Sequence, residues 1–114
     1  MTPEIHHMKL HPEPFGRIKA GLKTDELRLN DEKRQRIRVG DRIVFSKRPE
    51  CTETLAAEVI LLKPYATFAD MYDGVKGRYP ETTREDFVGS MSQYYSEEDE
   101  LKYGTLEILI RPRQ

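Results

Sequence analysis

The chain is poor in cysteine and in long apolar runs, and both shortages exclude classes of protein. Its single cysteine, Cys51, cannot form a disulfide within the chain, which excludes a small secreted domain stapled by disulfides. No apolar run approaches the roughly 18 residues that a membrane-spanning helix requires. The first ten residues also lack the apolar core of a signal peptide. We therefore expect a cytoplasmic protein that does not associate with a membrane.

Motifs of several common catalytic and cofactor-binding classes are also absent. The sequence has no G-x-G-x-x-G motif, no phosphate-binding loop and no serine in a nucleophile elbow. Its three histidines, His6, His7 and His11, are not accompanied by cysteines or carboxylates at a zinc-ligand spacing. We therefore expect no cofactor and no metal, and we expect the histidines to lie at the surface or at a sheet edge.

Charge is balanced overall but divided along the chain. The net charge is −1, yet residues 33–48 hold seven basic side chains and one acid, and residues 81–100 hold seven acids and one base. A local basic patch attracts phosphates even when the whole molecule is nearly neutral. The alternative is that both runs are solvated faces that aid solubility. The candidate phosphate-guiding residues are Lys33, Arg34, Arg36 and Arg38.

Apolar periodicity predicts five strands. They cover residues 5–10, 24–29, 42–46, 55–63 and 105–111. The fourth is the most apolar, so we expect a central strand that is partly buried on both faces and ends at Pro64. In the fifth, Leu106, Ile108 and Ile110 should face the core and Glu107 should face outward, with Pro112 ending the strand.

Helices are predicted between these strands. Phe15, Ile18 and Leu22 have helical spacing after the first strand, and Gly21 fits the left-handed position that ends a helix. Three more helices should start at capping residues, which are Thr67, then Thr82 or Thr83, then Ser96. Consecutive strands with short turns favour an antiparallel sheet. The fold class is therefore α+β, with one domain of 114 residues built on a small, strongly curved sheet or barrel.

The second strand carries the most informative pattern. Because strand residues alternate between faces, Leu27 and Leu29 point one way and Glu26 and Arg28 point the other way, with Lys23 at the preceding turn. One interpretation is a polar ligand site on a rigid strand. The other is an ordinary ion pair between Glu26 and Arg28 on an exposed face, which contributes only about 0–1 kcal/mol.

The pattern Gly21-x-Lys23-Thr24-x-Glu26-x-Arg28 resembles the G-x-K-x-x-E-x-R signature of ASCH domains. The turn Val39-Gly40-Asp41-Arg42-Ile43 and the block from Tyr95 to Leu106 are similar to the bacterial and archaeal branch of that family. The resemblance spans nearly the whole chain. It implies a single domain over residues 1–114 with a PUA-like β-barrel. That barrel would be mostly antiparallel, with about five to six strands and three to four short helices.

The resemblance also implies a function. ASCH domains are thought to bind RNA or nucleotide-like ligands in a cleft, which Lys23, Glu26 and Arg28 would line here. Lys23 would contact phosphate, Arg28 would offer a planar fork of donors, and Glu26 would accept from an exocyclic amine.

Two alternatives remain open from the sequence. One small bacterial branch hydrolyses N4-acetylcytidine with a lysine, a threonine three residues later and a distant glutamate. Lys23 matches the lysine, but Glu26 occupies the threonine position. An amidohydrolase acting on an acylated nucleoside would then use Glu26 as general base and Lys23 to hold an oxyanion. The other alternative is a protein-interaction module that uses the acidic helices.

Overall fold

The computed structural model describes residues 2–113 as strands and helices in the predicted order. The strands are β1 (Ile5–Leu10), β2 (Asp25–Leu29), β3 (Arg42–Lys47), β4 (Thr54–Tyr65) and β5 (Thr105–Arg113). The α-helices are α1 (Pro12–Lys19), α2 (Phe68–Val75), α3 (Arg84–Ser92) and α4 (Glu97–Tyr103), and 3₁₀ turns cover Arg34–Arg36 and Lys76–Arg78. This content confirms the predicted α+β class. Within residues 2–113, no helix has both the length and the apolar character needed to cross a bilayer.

All five strands join one sheet in the order β1-β3-β4-β5-β2. Strands β3 and β4 pair antiparallel. Strand β5 runs antiparallel to β2, because the Ile110 amide donates to the Thr24 carbonyl and the Asn30 amide donates to the Gly104 carbonyl. Strands β1 and β3 pair in parallel, with Ile5 opposite Arg42. The sheet is therefore mostly antiparallel, as predicted. The exception is the parallel pair of β1 and β3, which are joined by a long crossover that includes α1 and β2.

Contacts divide the described chain into two compact units. The first unit comprises residues 2–26, 37–62 and 108–113, and the second comprises residues 27–36 and 63–107. Large apolar side chains are buried in each unit. In the first they include Phe15, Ile18, Ile43, Phe45 and Val59. In the second they include Leu29, Phe68, Met71, Val75 and Phe87.

Helix α1 ends where the sequence predicted, at a glycine with left-handed geometry. Gly21 has a φ of 78°. The Leu22 amide donates to the Arg17 carbonyl and the Gly21 amide donates to the Ile18 carbonyl, which together form a Schellman motif. Leu22 is exposed, so its predicted place on the buried helical face was wrong. The reason is that Leu22 follows the left-handed turn, where the helical period no longer applies.

The caps of the other three helices confirm the sequence reading. The side-chain oxygens of Thr67, Thr83 and Ser96 each accept a hydrogen bond, at 3.1 Å, from the amide three residues later. Thr83, rather than Thr82, caps α3. These bonds satisfy amides that have no partner within the helix.

Three predictions about β4 and β5 were wrong. Both strands continue through the prolines that were expected to end them, Pro64 and Pro112. Proline keeps its carbonyl and an extended φ, so a strand continues wherever its missing N–H is not needed. Strand β4 occupies the predicted central place, but burial on both faces for part of its length was wrong. Ala57 and Val59 are buried on one face, whereas Ala56 and Glu58 on the other face are only half-buried.

Glu107 alternates with Leu106 and Ile108 as predicted, but the expectation that it faces outward into solvent was wrong. Leu106, Ile108 and Ile110 are buried as expected, but Glu107 is only 1% exposed. The other face of β5 is covered at this point, because Tyr65 and Arg78 of the same unit both contact the Glu107 carboxylate.

Candidate functional site

Lys23 is held by a buried carboxylate at the start of β2. Its Nζ donates to Asp25 Oδ1 at 2.8 Å, and its side chain is 16% exposed while that of Asp25 is 2% exposed. The Lys23 amide also donates to the Arg17 carbonyl, which ties the residue to the end of α1. The ammonium group is therefore fixed by both its backbone and its side chain.

Glu26 is also buried, at 5% exposure. The interpretation of a solvent-exposed ion pair between Glu26 and Arg28 is wrong for this reason. Asp25 and Glu26 are neighbours in a strand, so they point to opposite faces, and both carboxylates are buried. Desolvating two adjacent carboxylates is costly unless polar groups compensate each one.

Arg28 is half-buried and belongs to the second unit, whereas Lys23 and Glu26 belong to the first. Glu26 and Arg28 lie two residues apart on β2 and therefore share a face of the strand. That Lys23, Glu26 and Arg28 line a common cleft stays a prediction.

The candidate phosphate-guiding residues differ in exposure. Lys33 and Arg36 are exposed in the second unit, and Arg38 is exposed in the first. Arg34 is turned inward: its amide donates to Asp31 Oδ1 at 3.0 Å and its Nη1 lies 3.4 Å from Asp31 Oδ2. Lys33, Arg36 and Arg38 thus have the exposure that contact with a phosphate backbone requires, while Arg34 helps to shape its own loop.

A buried polar cluster occupies the second unit. The Tyr65 hydroxyl donates to Glu107 Oε1 at 2.8 Å, and Arg78 Nη2 donates to Glu107 Oε2. Burial raises the pKa of the Tyr65 hydroxyl above its ordinary value, and its hydrogen bond to Glu107 raises it further. The hydroxyl therefore stays protonated and serves as a donor.

A second polar cluster lies in the first unit, where β1 meets the turn before β3. His6 Nε2 lies 2.8 Å from Asp41 Oδ2 and 4.0 Å from Glu4 Oε2. Burial acts to raise the pKa of Asp41, but hydrogen bonds from His6 and from the Arg38 and Glu4 amides lower it below its ordinary value. His6 lies on the edge strand β1, which is one of the two positions expected for the histidines, and its side chain is largely buried.

The sequence matches a known domain family. The sequence profile of the ASCH domain matches residues 8–111, a range that includes Lys23, Glu26 and Arg28. The chain belongs to the ASCH domain family. This confirms the resemblance inferred from the signature.

Solved structures resemble this ASCH protein over nearly its whole length. Hypothetical protein PH0355 is 36% identical with a TM-score of 0.81, and the match covers 96% of this chain and 99% of that one. Protein PF0455 from Pyrococcus furiosus is 31% identical with a TM-score of 0.72, covering 96% and 98%. A mutant of ZmASCH from Zymomonas mobilis is 18% identical with a TM-score of 0.66, covering 96% and 70%, and shares the fold. No curated protein matches the chain.

Sequence reasoning about this ASCH protein missed Asp25 and Glu107. Asp25 left a signal, because it shares the strand face of Leu27 and Leu29 and a carboxylate on a core-facing position needs a buried partner. The burial of Glu107 could not be predicted from its neighbours in the sequence, because a polar residue between two apolar ones is the usual pattern of a strand with one exposed face. Its partner Tyr65 is 42 residues away in the sequence.

Proposed function

We propose that this protein binds RNA or a nucleotide-like ligand at the start of β2, acting as a single ASCH domain over residues 1–114 in the cytoplasm. Lys23 and Glu26 are the principal contacts, and Arg28 is a further contact on the same strand. One observation carries the proposal: a lysine ammonium is held by the buried Asp25, and Glu26, the next residue in the sequence, is also buried.

Stability alone does not account for this arrangement. Replacing a buried ion pair by well-packed apolar residues is often neutral or stabilising. Strand β2 has five residues, and its first two are buried carboxylates. We infer that these charges are retained because they act on a ligand.

The chemistry of the three side chains suits a nucleotide. An ammonium group has three N–H donors, and the bond from Lys23 to Asp25 uses one of them. A second donor, directed at a phosphate oxygen, would make a charge-assisted hydrogen bond. Glu26 would accept from an exocyclic amine, as carboxylates do with cytosine. Arg28 would present its planar fork to a phosphate or to a base edge.

Exposed basic residues would assist binding of a longer RNA. Lys33, Arg36 and Arg38 would attract the phosphate backbone without reading its sequence. Because binding to phosphates releases counterions, the logarithm of the affinity should fall with the logarithm of the salt concentration, by about 0.7 for each contact to a single strand.

The test is a titration of single-stranded RNA and of free mononucleotides into the wild type and its variants. Fluorescence anisotropy and calorimetry measure the binding. We expect Lys23→Gln and Glu26→Gln to weaken binding of both ligands by about tenfold or more, as befits the loss of a hydrogen bond to a charged group. Arg28→Ala should weaken binding in the same direction.

The matched control is Lys63→Gln, which removes the same charge from an exposed position on β4. It should leave affinity for a mononucleotide unchanged. Melting temperatures of all variants identify any loss of binding that follows from unfolding. If Lys23→Gln and Arg28→Ala both fold and both bind like the wild type, the proposed site is wrong.

The hydrolytic alternative is distinguished in the same samples. Incubation with N4-acetylcytidine should leave the nucleoside intact if the site only binds. Release of acetate that Glu26→Gln abolishes would instead assign Glu26 as general base and Lys23 as the group that holds the oxyanion.

A further inference from the structure

We propose that Glu4, His6 and Asp41 form a binding site for a divalent transition metal ion, with zinc as its best occupant. Each residue offers one ligand atom, and the three atoms all lie within 4.8 Å of one another. All three residues belong to the first unit. The site does not involve Lys23, Glu26 or Arg28, so it is independent of the proposed ligand site.

The pairing of β1 with β3 brings the ligands together. Ile5 lies opposite Arg42 in the parallel register, and the Arg42 amide donates to the Glu4 carbonyl at 2.9 Å. Glu4 therefore lies beside Asp41, which directly precedes β3, and His6, opposite Ile43, reaches Asp41 through its side chain. Main-chain hydrogen bonds fix this meeting point, so the site needs no rearrangement of the backbone.

The distances are close to those that a shared ion requires. Two ligand atoms about 2.0–2.2 Å from a zinc ion lie about 3.3 Å apart in a tetrahedral site. His6 Nε2 and Asp41 Oδ2 lie 2.8 Å apart, and His6 Nε2 and Glu4 Oε2 lie 4.0 Å apart. Small side-chain adjustments in opposite senses would bring both pairs to the required spacing. The ion would replace the hydrogen bond between His6 and Asp41.

Asp41 is oriented as metal-ligating carboxylates are. The Glu4 amide donates to its Oδ1 at 3.1 Å, and the Arg38 amide donates to its Oδ2 at 3.0 Å. Such hydrogen bonds from main-chain amides fix the direction of the carboxylate, and ligating carboxylates in metal sites are typically hydrogen-bonded in this way. The side chains of His6 and Asp41 are largely buried, whereas that of Glu4 is 69% exposed. Glu4 is thus the mobile ligand on the side from which an ion enters.

The ligand chemistry selects the metal. Imidazole nitrogen with carboxylate oxygen suits zinc and its neighbours among the transition metals. Magnesium and calcium prefer sites made of oxygen alone. Three protein ligands would leave a fourth tetrahedral position for water.

The experiment is a calorimetric titration of zinc sulfate into the chelator-stripped, full-length protein. We expect an equimolar complex with a dissociation constant in the micromolar range or below, and no competition from an excess of magnesium. Loss of a partner outside the ligand set costs about 10–100-fold in metal affinity. His6→Ala, which removes a ligand itself, should therefore cost about 100-fold or more.

His7→Ala is the matched control, because His7 is the adjacent, exposed histidine on the opposite face of β1. Its affinity for zinc should equal that of the wild type. In NMR spectra of the imidazole nitrogens, zinc should shift the resonances of His6 and leave those of His7 and His11 in place.

Glu4→Gln keeps the proposal testable if His6→Ala fails to fold. Glu4 is exposed and glutamine preserves its backbone hydrogen bonds, so this variant should fold and bind zinc about tenfold more weakly, a loss of the size seen around other metal sites. Absence of zinc binding by the wild type would overturn the proposal. So would wild-type affinity in Glu4→Gln, or loss of binding in His7→Ala.

Discussion

Glu107 offers the sharpest test of how this fold tolerates buried charge. Its carboxylate is 1% exposed and accepts hydrogen bonds from the Tyr65 hydroxyl and from Arg78. The substitution Glu107→Gln keeps the size of the side chain and one oxygen acceptor. It removes the charge and leaves one oxygen for two donors, so the NH₂ group must face either the Arg78 guanidinium or the Tyr65 hydroxyl.

The expected cost follows from the exposure of each partner. Breaking a fully buried ion pair from one side costs about 3–5 kcal/mol. Arg78 is 38% exposed, so it can turn toward water and recover part of its solvation. A hydrogen bond to a charged group contributes about 1.5–3 kcal/mol. We therefore expect Glu107→Gln to lower the free energy of unfolding by about 2–4 kcal/mol.

Tyr65→Phe tests the other side of the same carboxylate. It leaves Glu107 Oε1 without the hydroxyl donor at 2.8 Å, which should cost about 1.5–3 kcal/mol. Because Tyr65 and Glu107 contact each other directly, the double variant should lose less than the sum of the single losses, with a coupling of about 1 kcal/mol or more.

Urea denaturation followed by circular dichroism measures these free energies. Tyr94→Phe is the control, because Tyr94 is an exposed tyrosine and surface substitutions usually change stability by less than about 0.5 kcal/mol. A loss below about 1 kcal/mol in Glu107→Gln, or strict additivity in the double variant, would refute the reasoning.

Three further predictions follow from local geometry. Gly104→Ala should destabilise the protein by more than about 1 kcal/mol, because Gly104 has a φ of 71° and a Cβ there would lie 2.8 Å from the Tyr65 carbonyl. Gly16→Ala, within α1 and in open space, should instead stabilise the protein by about 0.5–1 kcal/mol. Urea denaturation measures both changes. Thr83→Ala should cost about 1 kcal/mol in the same assay, since it removes the cap of α3. Burial and the hydrogen bond to Glu107 raise the pKa of Tyr65. The stability that its hydroxyl contributes is therefore present below about pH 10 and is lost as the pH rises through the folded-state pKa. The difference in stability between the wild type and Tyr65→Phe should shrink over that range.

The sequence was most informative where the physical cause is local. Gly21, Thr67 and Ser96 each act on residues within one turn, so their helix ends and starts could be predicted from the letters alone. Apolar periodicity likewise placed Leu106, Ile108 and Ile110 in the core. The predicted strand ends at Pro64 and Pro112 were wrong, because the effect of the missing proline N–H depends on whether a neighbouring strand needs that donor.

The polar clusters could not be predicted because their partners are distant in the sequence. Thirty-five residues separate His6 from Asp41, and 29 separate Arg78 from Glu107. No local pattern encodes such a pair, and only the strand register brings its members together. The parallel pairing of β1 with β3, which the order of elements did not predict, is what creates the cluster at His6.

The ion pair of Lys23 with Asp25 allows positioning to be distinguished from simple charge. Asp25→Asn removes a negative charge beside the lysine and leaves the lysine in place. If Asp25 only neutralised the ammonium, the variant would bind a phosphate ligand more tightly, because the local potential becomes more positive. If Asp25 instead fixes the ammonium at 2.8 Å, the long lysine side chain gains conformational freedom that binding must then remove, at about 1.5–2 kcal/mol for full immobilisation. We expect the second outcome, with mononucleotide affinity about three- to tenfold weaker, roughly 0.6–1.4 kcal/mol, at a melting temperature that shows the variant to be folded. Tighter binding by a folded Asp25→Asn variant would refute the positioning role of Asp25.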